Sequence, residues 1–324
     1  MIRYAALTLK DILRLTYRIL YPLKGIPPFL FVVGNLSFWI GPLFILALLK
    51  LLVPLKKFQI SCYRMMARIY TVAVWADDQL FWRLMGIRME VRGLGRLIQD
   101  KTYLVLANHQ SWADIFVLQS LLSFKTHIPK FIIKKQLLYM SIVGLICWAY
   151  DFPTVTRYTK EEIGARPERK GEDRKALEEA LRRFHNTPGS IVNFAEGTRY
   201  GSLKARRHQS SYRFLLPPKV GGLTVILQSM GEQLHQILDL TLAYDCAPFN
   251  FWDFMCGKCR RIIVQIQHIA PEEAFRKSRH HLRTALPAET AQWIHHLWEE
   301  KDQTLLKLRT ELNRERLTLH EGRS

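Results

Sequence analysis

Residues Tyr103 to Asp114 read YLVLANHQSWAD. Leu104 to Ala107 form a short apolar run with the length and composition of a buried strand. The run stops at Asn108 and His109, and Ser111 is then a suitable N-cap for the helical pattern Trp112, Ile115, Phe116, Leu118, Gln119. His109 therefore lies at a strand end, and Asp114 lies in the first turn of the next helix, where it can fold back toward the imidazole. A carboxylate on one ring nitrogen fixes the tautomer and supports the cation formed when the other nitrogen takes a proton, as a general base requires. Read alone, this stretch also fits a histidine that only caps a turn.

The second informative stretch is Ser190 to Arg199, SIVNFAEGTR, another apolar strand that runs into Glu196, Gly197, Thr198 and Arg199. Glycine lets the backbone approach a ligand closely, and arginine offers a planar fork suited to phosphate. One strand end with a base and one with an anion grip describe a site on a single sheet edge. Between and around them, strand and helix patterns alternate, which argues for an α/β sheet with helices on its faces.

NHQSWAD resembles the N-H-x4-D motif, and FAEGTR the F-x-E-G-T-R motif, of the glycerolipid acyltransferases related to 1-acylglycerol-3-phosphate acyltransferase. The spacing of the two blocks and the strand-like FPTVTR, Phe152 to Arg157, between them are similar to that family's pattern. LLPPKVGGL (Leu215 to Leu223), LDLTLAYD (Leu238 to Asp245) and the tail QWIHHLWEEKDQTLLKL resemble its lysophospholipid-acyltransferase branch. The resemblance covers roughly residues 60 to 310. It implies a mixed sheet flanked by helices, with His109 and Asp114 as the catalytic pair. It also implies that Arg157, Glu196, Gly197, Thr198 and Arg199 bind a phosphate-bearing acceptor. Many members carry a proline-containing fourth motif where this chain has LDLTLAYD, so headgroup choice does not follow from the resemblance.

The formal charge of +19 and a pI near 9.9 favour anionic partners: acidic lipid, a phosphorylated substrate, an acidic carrier protein or nucleic acid. With 324 residues the chain can bury one core plus an appended membrane element. The five cysteines lack regular spacing and fit a reducing compartment without a disulfide framework. Cys246, Cys256, Cys259 and His268 could form a zinc site, but a turn between two strands is the simpler reading of the CGKC pair.

Residues 1 to 25 place Arg3, Lys10, Arg14, Arg18 and Lys24 among apolar residues at helical spacing, the pattern of a basic helix on a membrane surface. Phe29 to Leu55 is nearly uncharged and long enough to span a bilayer, and too long for a cleaved signal peptide. Gly41 and Pro42 divide it, and basic residues flank both ends, with Lys56, Lys57, Arg64 and Arg68 following. The positive-inside rule then favours a re-entrant hairpin of two short helices over a kinked single crossing. Expected boundaries are 1–57 for the basic helix and membrane anchor, 58–271 for the acyltransferase domain and 272–324 for a helical extension packed on it.

Lys130 to Lys134 reads as a strand, Gln136 to Tyr150 as a helix interrupted at Gly144, and Ala176 to Phe184 as an amphipathic helix. Lys204, Arg206, Arg207 and Arg213 form a basic loop after the second motif, read as a docking surface for the phosphates of coenzyme A, for acyl carrier protein or for a lipid headgroup. Further strands are expected at Ile237 to Tyr244 and Arg261 to Ile269.

The expected reaction moves a fatty acyl group from acyl-CoA or acyl carrier protein to the free hydroxyl of a lysophospholipid such as lysophosphatidate. His109 and Asp114 act as base, Arg157, Arg199 and the Gly197 backbone hold phosphate, and Glu196 fixes Arg199, Thr198 or an acceptor hydroxyl. No metal and no cofactor beyond the thioester co-substrate is expected, and the oxyanion donor is expected to be a backbone amide near the first motif. Anionic membrane lipids are the other partners, and the site is on the cytoplasmic face, at the inner membrane if the source is bacterial. A Ser111, His109, Asp114 hydrolase is disfavoured because the chain lacks a G-x-S-x-G elbow. The rival from another class is a basic membrane protein that binds nucleic acid, although no RRM, KH, zinc-finger or helix-turn-helix pattern is present. A scaffold that keeps the fold without activity is the third.

Overall fold

The computed structural model describes residues 20–155, 171–182, 189–275 and 287–321. Residues 1–19 of the surface helix expected over 1–25, and Arg157, lie outside the described residues. Eight strands form among them: β1 (Arg88–Arg92), β2 (Thr102–Ala107), β3 (Lys130–Phe131), β4 (Ile133–Lys134), β5 (Thr154–Val155), β6 (Ser190–Phe194), β7 (Leu234–Tyr244) and β8 (Arg261–Ile269). The main sheet has the order β1-β8-β7-β2-β6-β3, and β4 pairs with β5 beside it. Every neighbour pair is parallel except β7 and β8, which run antiparallel, so the sheet is mixed.

β2 sits in the middle, and all six of its residues are buried. Leu104 and Leu106 enter one apolar cluster, while Tyr103, Val105 and Ala107 enter the cluster on the opposite face. That is the strand period of two with both faces covered, as a central parallel strand needs. Truncating such a residue to alanine costs about 2–5 kcal/mol.

The helices cover both faces. The apolar hairpin comes first, α1 (Ile26–Leu52) and α2 (Lys56–Asp78), and α3 (Ala113–Leu122) follows β2. α4 (Ser141–Ala149), α5 (Glu172–Arg182), α6 (Ser202–Arg207) and α7 (Val220–Met230) are shorter. α8 (Phe251–Met255) starts in a capping box of Asn250 and Asp253, and α9 (Pro287–Glu321) closes the fold. α9 buries Ile294, Leu297, Trp298, Leu305, Leu308 and Leu312 against β7 and α7, at the spacing expected for the tail. Lys301, fully buried, reaches β7 and ion-pairs with Asp239 at 2.8 Å while donating to the Leu240 carbonyl at 2.7 Å.

Five details differ from the sequence reading. α1 continues unbroken through Gly41 and Pro42, and the chain turns at residues 53 to 55, where Val53 and Leu55 are extended around Pro54. In an apolar setting, losing one backbone donor at Pro42 is cheaper than opening a turn, whereas the extended preference before proline acts at Val53. Tyr21–Leu52 is, among the described residues, the one helical stretch long and apolar enough to cross a membrane, with 11% of its apolar window buried. α2 packs Cys62, Met66, Tyr70, Val74 and Asp77 inward at helical spacing, and Asn35 of α1 donates to the Ala73 carbonyl at 2.9 Å and to Asp77 at 3.0 Å.

Second, the expected Lys130–Lys134 strand is shared between two sheets, because the Ile132 amide donates to Val192 and the Ile133 amide to Pro153. Third, the helix break falls at Met140 rather than Gly144. Gly144 instead lies inside α4, with a Cβ position only 2.1 Å from the Leu138 carbonyl oxygen. Fourth, the basic loop contains the short helix α6. Fifth, Cys246 and Cys259 form a disulfide, their Cα atoms 5.0 Å apart. The β7–β8 register that pairs Tyr244 with Ile262 brings them face to face. Cys256 contacts the Pro22 carbonyl and the His268 ring bonds Gln236 and the Gly93 and Leu94 carbonyls, so the four-ligand zinc set does not assemble.

Candidate active site

β2 and β6 run parallel with Ala107 beside Phe194, so the residues after both strands emerge on the same sheet edge. β7 extends past the end of β2, and the Asn108 side chain completes the missing pairing. It donates to the Leu242 carbonyl at 3.1 Å and accepts from the Leu242 amide at 2.8 Å. This holds the chain in place just before His109.

His109 Nδ1 lies 2.8 Å from Asp114 Oδ2. The carboxylate is fully buried, whereas the His109 side chain keeps 14% of its surface exposed. Asp114 also accepts from the Gln110 amide at 2.6 Å, the Ser111 amide at 3.0 Å and the Tyr244 hydroxyl at 2.5 Å. Four donors converge on one carboxylate and offset the cost of burying its charge. Burial, then the neighbouring Asp114, pushes the Tyr244 hydroxyl well above its usual range, so it stays a donor. The imidazole stacks on Phe194, with ring centroids 4.0 Å apart. The helix begins two residues after Ser111, whose hydroxyl accepts from the Ala113 amide at 3.4 Å, and the stronger N-terminal contacts come from Asp114 reaching backward.

Glu196 departs from the expected role. It is 1% exposed, and its two oxygens accept from the His109 amide and the Leu216 amide, each at 2.9 Å. It thus joins the two motifs and the 213–216 segment instead of fixing Arg199 or Thr198. Burial pushes its carboxyl up to about 8, against the two backbone donors. Gly197 has φ +66°, the left-handed region that suits glycine, and its amide donates to the Phe194 carbonyl at 2.8 Å. It therefore shapes the turn between Glu196 and Arg199.

Arg199 is exposed, with its guanidinium over the Trp112 ring at 5.2 Å from the ring centre. The Thr198 hydroxyl accepts from Lys204 at 3.1 Å, and Lys204 also donates to the Arg199 carbonyl at 3.1 Å. Burial first, then Arg199 and Lys134, lower the Lys204 ammonium. Lys134, Arg199 and Lys204 therefore share one cationic region. Lys134 escaped the sequence reading; its signal is the β4–β5 register, which sets it beside Val155 on the strand that leads toward Arg157. Tyr244 escaped as well, although the alternation Leu238, Leu240, Leu242, Tyr244 puts it on the face of β7 that α3 covers.

The amides of His109, Gln110, Ser111, Ala113 and Asp114 are all engaged in hydrogen bonds within the chain. Asp245, Cys246 and Cys259 are the grouped metal-ligating side chains among the described residues, but the Asp245 carboxylate accepts from the Arg260 and Arg261 amides.

The acyltransferase family model matches residues 88–244, the span from β1 to the end of β7. Over 94% of this chain and 83% of its partner, the sequence is 22% identical to 1-acyl-sn-glycerol-3-phosphate acyltransferase epsilon of Mus musculus. It is 27% identical to the alpha enzyme of Homo sapiens, over 55% of this chain and 51% of that one, so the match spans about half of that relative's length. The fold is shared with the crystal structure of the 1-acyl-sn-glycerophosphate (LPA) acyltransferase PlsC from Thermotoga maritima, with a TM-score of 0.51, 15% identity and coverage of 91% and 98% of the two chains. With both motifs on the edge that the family model spans, the chain carries an acyltransferase domain and is an acyltransferase similar to the 1-acyl-sn-glycerol-3-phosphate acyltransferases.

Proposed function

We propose that the protein moves a fatty acyl group from the thioester of acyl-CoA or acyl carrier protein to the free hydroxyl of a lysophospholipid of the lysophosphatidate type. The observation that carries this reading is the His109–Asp114 contact of 2.8 Å within a carboxylate that collects four donors. Asp114 holds Nδ1 in its protonated tautomer, and Nε2 takes the proton from the acceptor hydroxyl as that oxygen attacks the thioester carbonyl. The tetrahedral intermediate collapses with loss of the thiolate, which receives the proton back from His109. Serine takes no covalent part. Trp112 carries the one amide of the 109–114 run without a hydrogen bond among the described residues, and it is our candidate donor to the oxyanion.

Lys134, Arg199 and Lys204 hold the acceptor phosphate, with Arg157 as the family motif implies and Thr198 and Gly197 shaping the turn that presents them. Binding then supplies orientation rather than chemistry. The exposed apolar side chains of α1, among them Leu30, Phe38, Ile45, Leu51 and Leu52, and the exposed cations Lys56, Lys57, Arg64 and Arg68 support attachment to the cytoplasmic face of an anionic membrane.

The test supplies membranes containing wild type or His109→Ala with a panel of lysophospholipids and both donor types. Product from wild type, falling at least ~100-fold in the variant, supports the reading and names both substrates. Equal product from both proteins, or none from wild type across the panel, overturns it.

A further inference from the structure

We infer that Arg213 and Arg309 form a second anion subsite, which holds the phosphate-bearing end of acyl-CoA. This rests on the acyl-transfer reading above. The two guanidiniums come from distant parts of the chain and meet over one ring: Arg309 of α9 lies 4.3 Å and Arg213 5.3 Å from the centre of Phe214. Among the described residues neither forms an ion pair with a carboxylate. Two cations at one ring repel each other, an anion bound by both would relieve that, and guanidinium forks match phosphate oxygens. Burial lowers the Arg309 guanidinium and the Arg213 charge lowers it further, while Tyr200 opposes both.

The platform under them is fixed from several sides. Asp302 accepts from the Arg213 amide at 2.8 Å and the Phe214 amide at 2.9 Å, so the nearby carboxylate is engaged with backbone. The Tyr200 hydroxyl donates to the Arg213 carbonyl at 3.0 Å, and Gln110 donates to the Phe214 carbonyl at 3.3 Å. The Tyr200 amide in turn donates to the His109 carbonyl at 2.7 Å. The pair is thus built into the wall of the site without touching the base.

Its contacts also differ from those of the Lys134–Arg199–Lys204 cluster. Lys204 bonds the Thr198 hydroxyl and the Arg199 carbonyl, whereas Arg213 and Arg309 lie over Phe214. The reaction brings two phosphate-bearing substrates to one histidine, and the acceptor phosphate is already matched by the first cluster. The phosphates of coenzyme A lie at the far end of the pantetheine arm from the thioester, so a cationic subsite set apart from His109 suits the donor.

The experiment uses the full chain in detergent, as wild type, Arg213→Ala/Arg309→Ala, and Arg213→Ala/Arg309→Met, which keeps an aliphatic stem against Phe214. The first arm is equilibrium binding of adenosine 3′,5′-bisphosphate. We expect measurable binding by wild type and a loss of at least about tenfold in both double variants, the size of one missing charge-assisted contact. Equal affinity in all three proteins, or no binding by wild type, overturns the inference. The second arm compares KM for acyl-CoA, acyl-pantetheine and lysophosphatidate. A rise confined to acyl-CoA, with kcat unchanged, supports the subsite; a rise for lysophosphatidate alone reassigns the pair to the acceptor headgroup and overturns it. An equal loss with acyl-pantetheine, which lacks those phosphates, marks a purely structural role and also overturns it. If wild type turns over no donor, the acyl-transfer reading fails while the binding arm still decides on the subsite.

Discussion

Replacing Asp114 with asparagine separates charge from shape at the heart of the site. The asparagine carbonyl can still accept from His109, Gln110 and Ser111, and its amide can face Tyr244, whose hydroxyl turns to accept. The fold should survive. What disappears is the negative charge 2.8 Å from a ring that becomes cationic during the reaction. Two unit charges at that distance attract by about 6 kcal/mol at an effective dielectric of about 20. The retained neutral hydrogen bond recovers part of this, so the loss is roughly 3–6 kcal/mol, or about 10²–10⁴ in kcat. The assay is kcat for acyl transfer to lysophosphatidate in membranes, with thermal unfolding of the same preparations. An Asp114→Asn protein within about tenfold of wild type would refute the general-base reasoning. Asp114→Ala is the less informative change, because it strands four donors at about 1–3 kcal/mol each and unfolds the site.

Further outcomes follow from the same geometry. Ser111→Ala should keep most of its activity, since the hydroxyl makes only a 3.4 Å contact; a dead variant with a labelled acyl group retained on wild type would establish a serine nucleophile. Burial raises Glu196 from 4.5 to about 8, so the folded chain holds that proton where the unfolded chain has released it. Its contribution to stability is present below about 4.5 and falls as pH rises toward 8, so the Tm of wild type should drop more steeply across that window than that of Glu196→Gln; parallel curves would contradict this. Lys301→Ala should destabilise by about 3–5 kcal/mol by leaving Asp239 buried and unpaired, whereas Lys301→Met with Asp239→Leu should recover most of the loss in denaturant titrations.

The strands and the two motifs are legible because β2 is a largely apolar run, β6 carries Ile191, Val192 and Phe194, and both lead into polar residues, a signal that is local. The tail helix was legible for the same reason, through its stripe from Trp293 to Leu308. What escaped the sequence depends on register. Lys134 joins the cationic region only because β4 pairs with β5, and Tyr244 reaches Asp114 only because β7 outruns β2. The sequence suggests that Glu196 fixes Arg199, Thr198 or an acceptor hydroxyl, yet the 213–216 segment folds over it and supplies a second backbone donor. The hairpin turn lies at residues 53 to 55 and not at Gly41 and Pro42, because a proline inside a helix removes one backbone donor without ending it.

α9 grips β7 through Lys301 and the 213–214 backbone through Asp302, adjacent residues on one turn. Chains are synthesised from the N-terminus, so α9 is made after every strand described. Until α9 docks, the segment that presents the Leu216 amide to Glu196 is held by Tyr200 and Gln110 but lacks the Asp302 clamp on its backbone. Bracing of that wall is thereby coupled to α9, so both motifs can be present before the site is clamped.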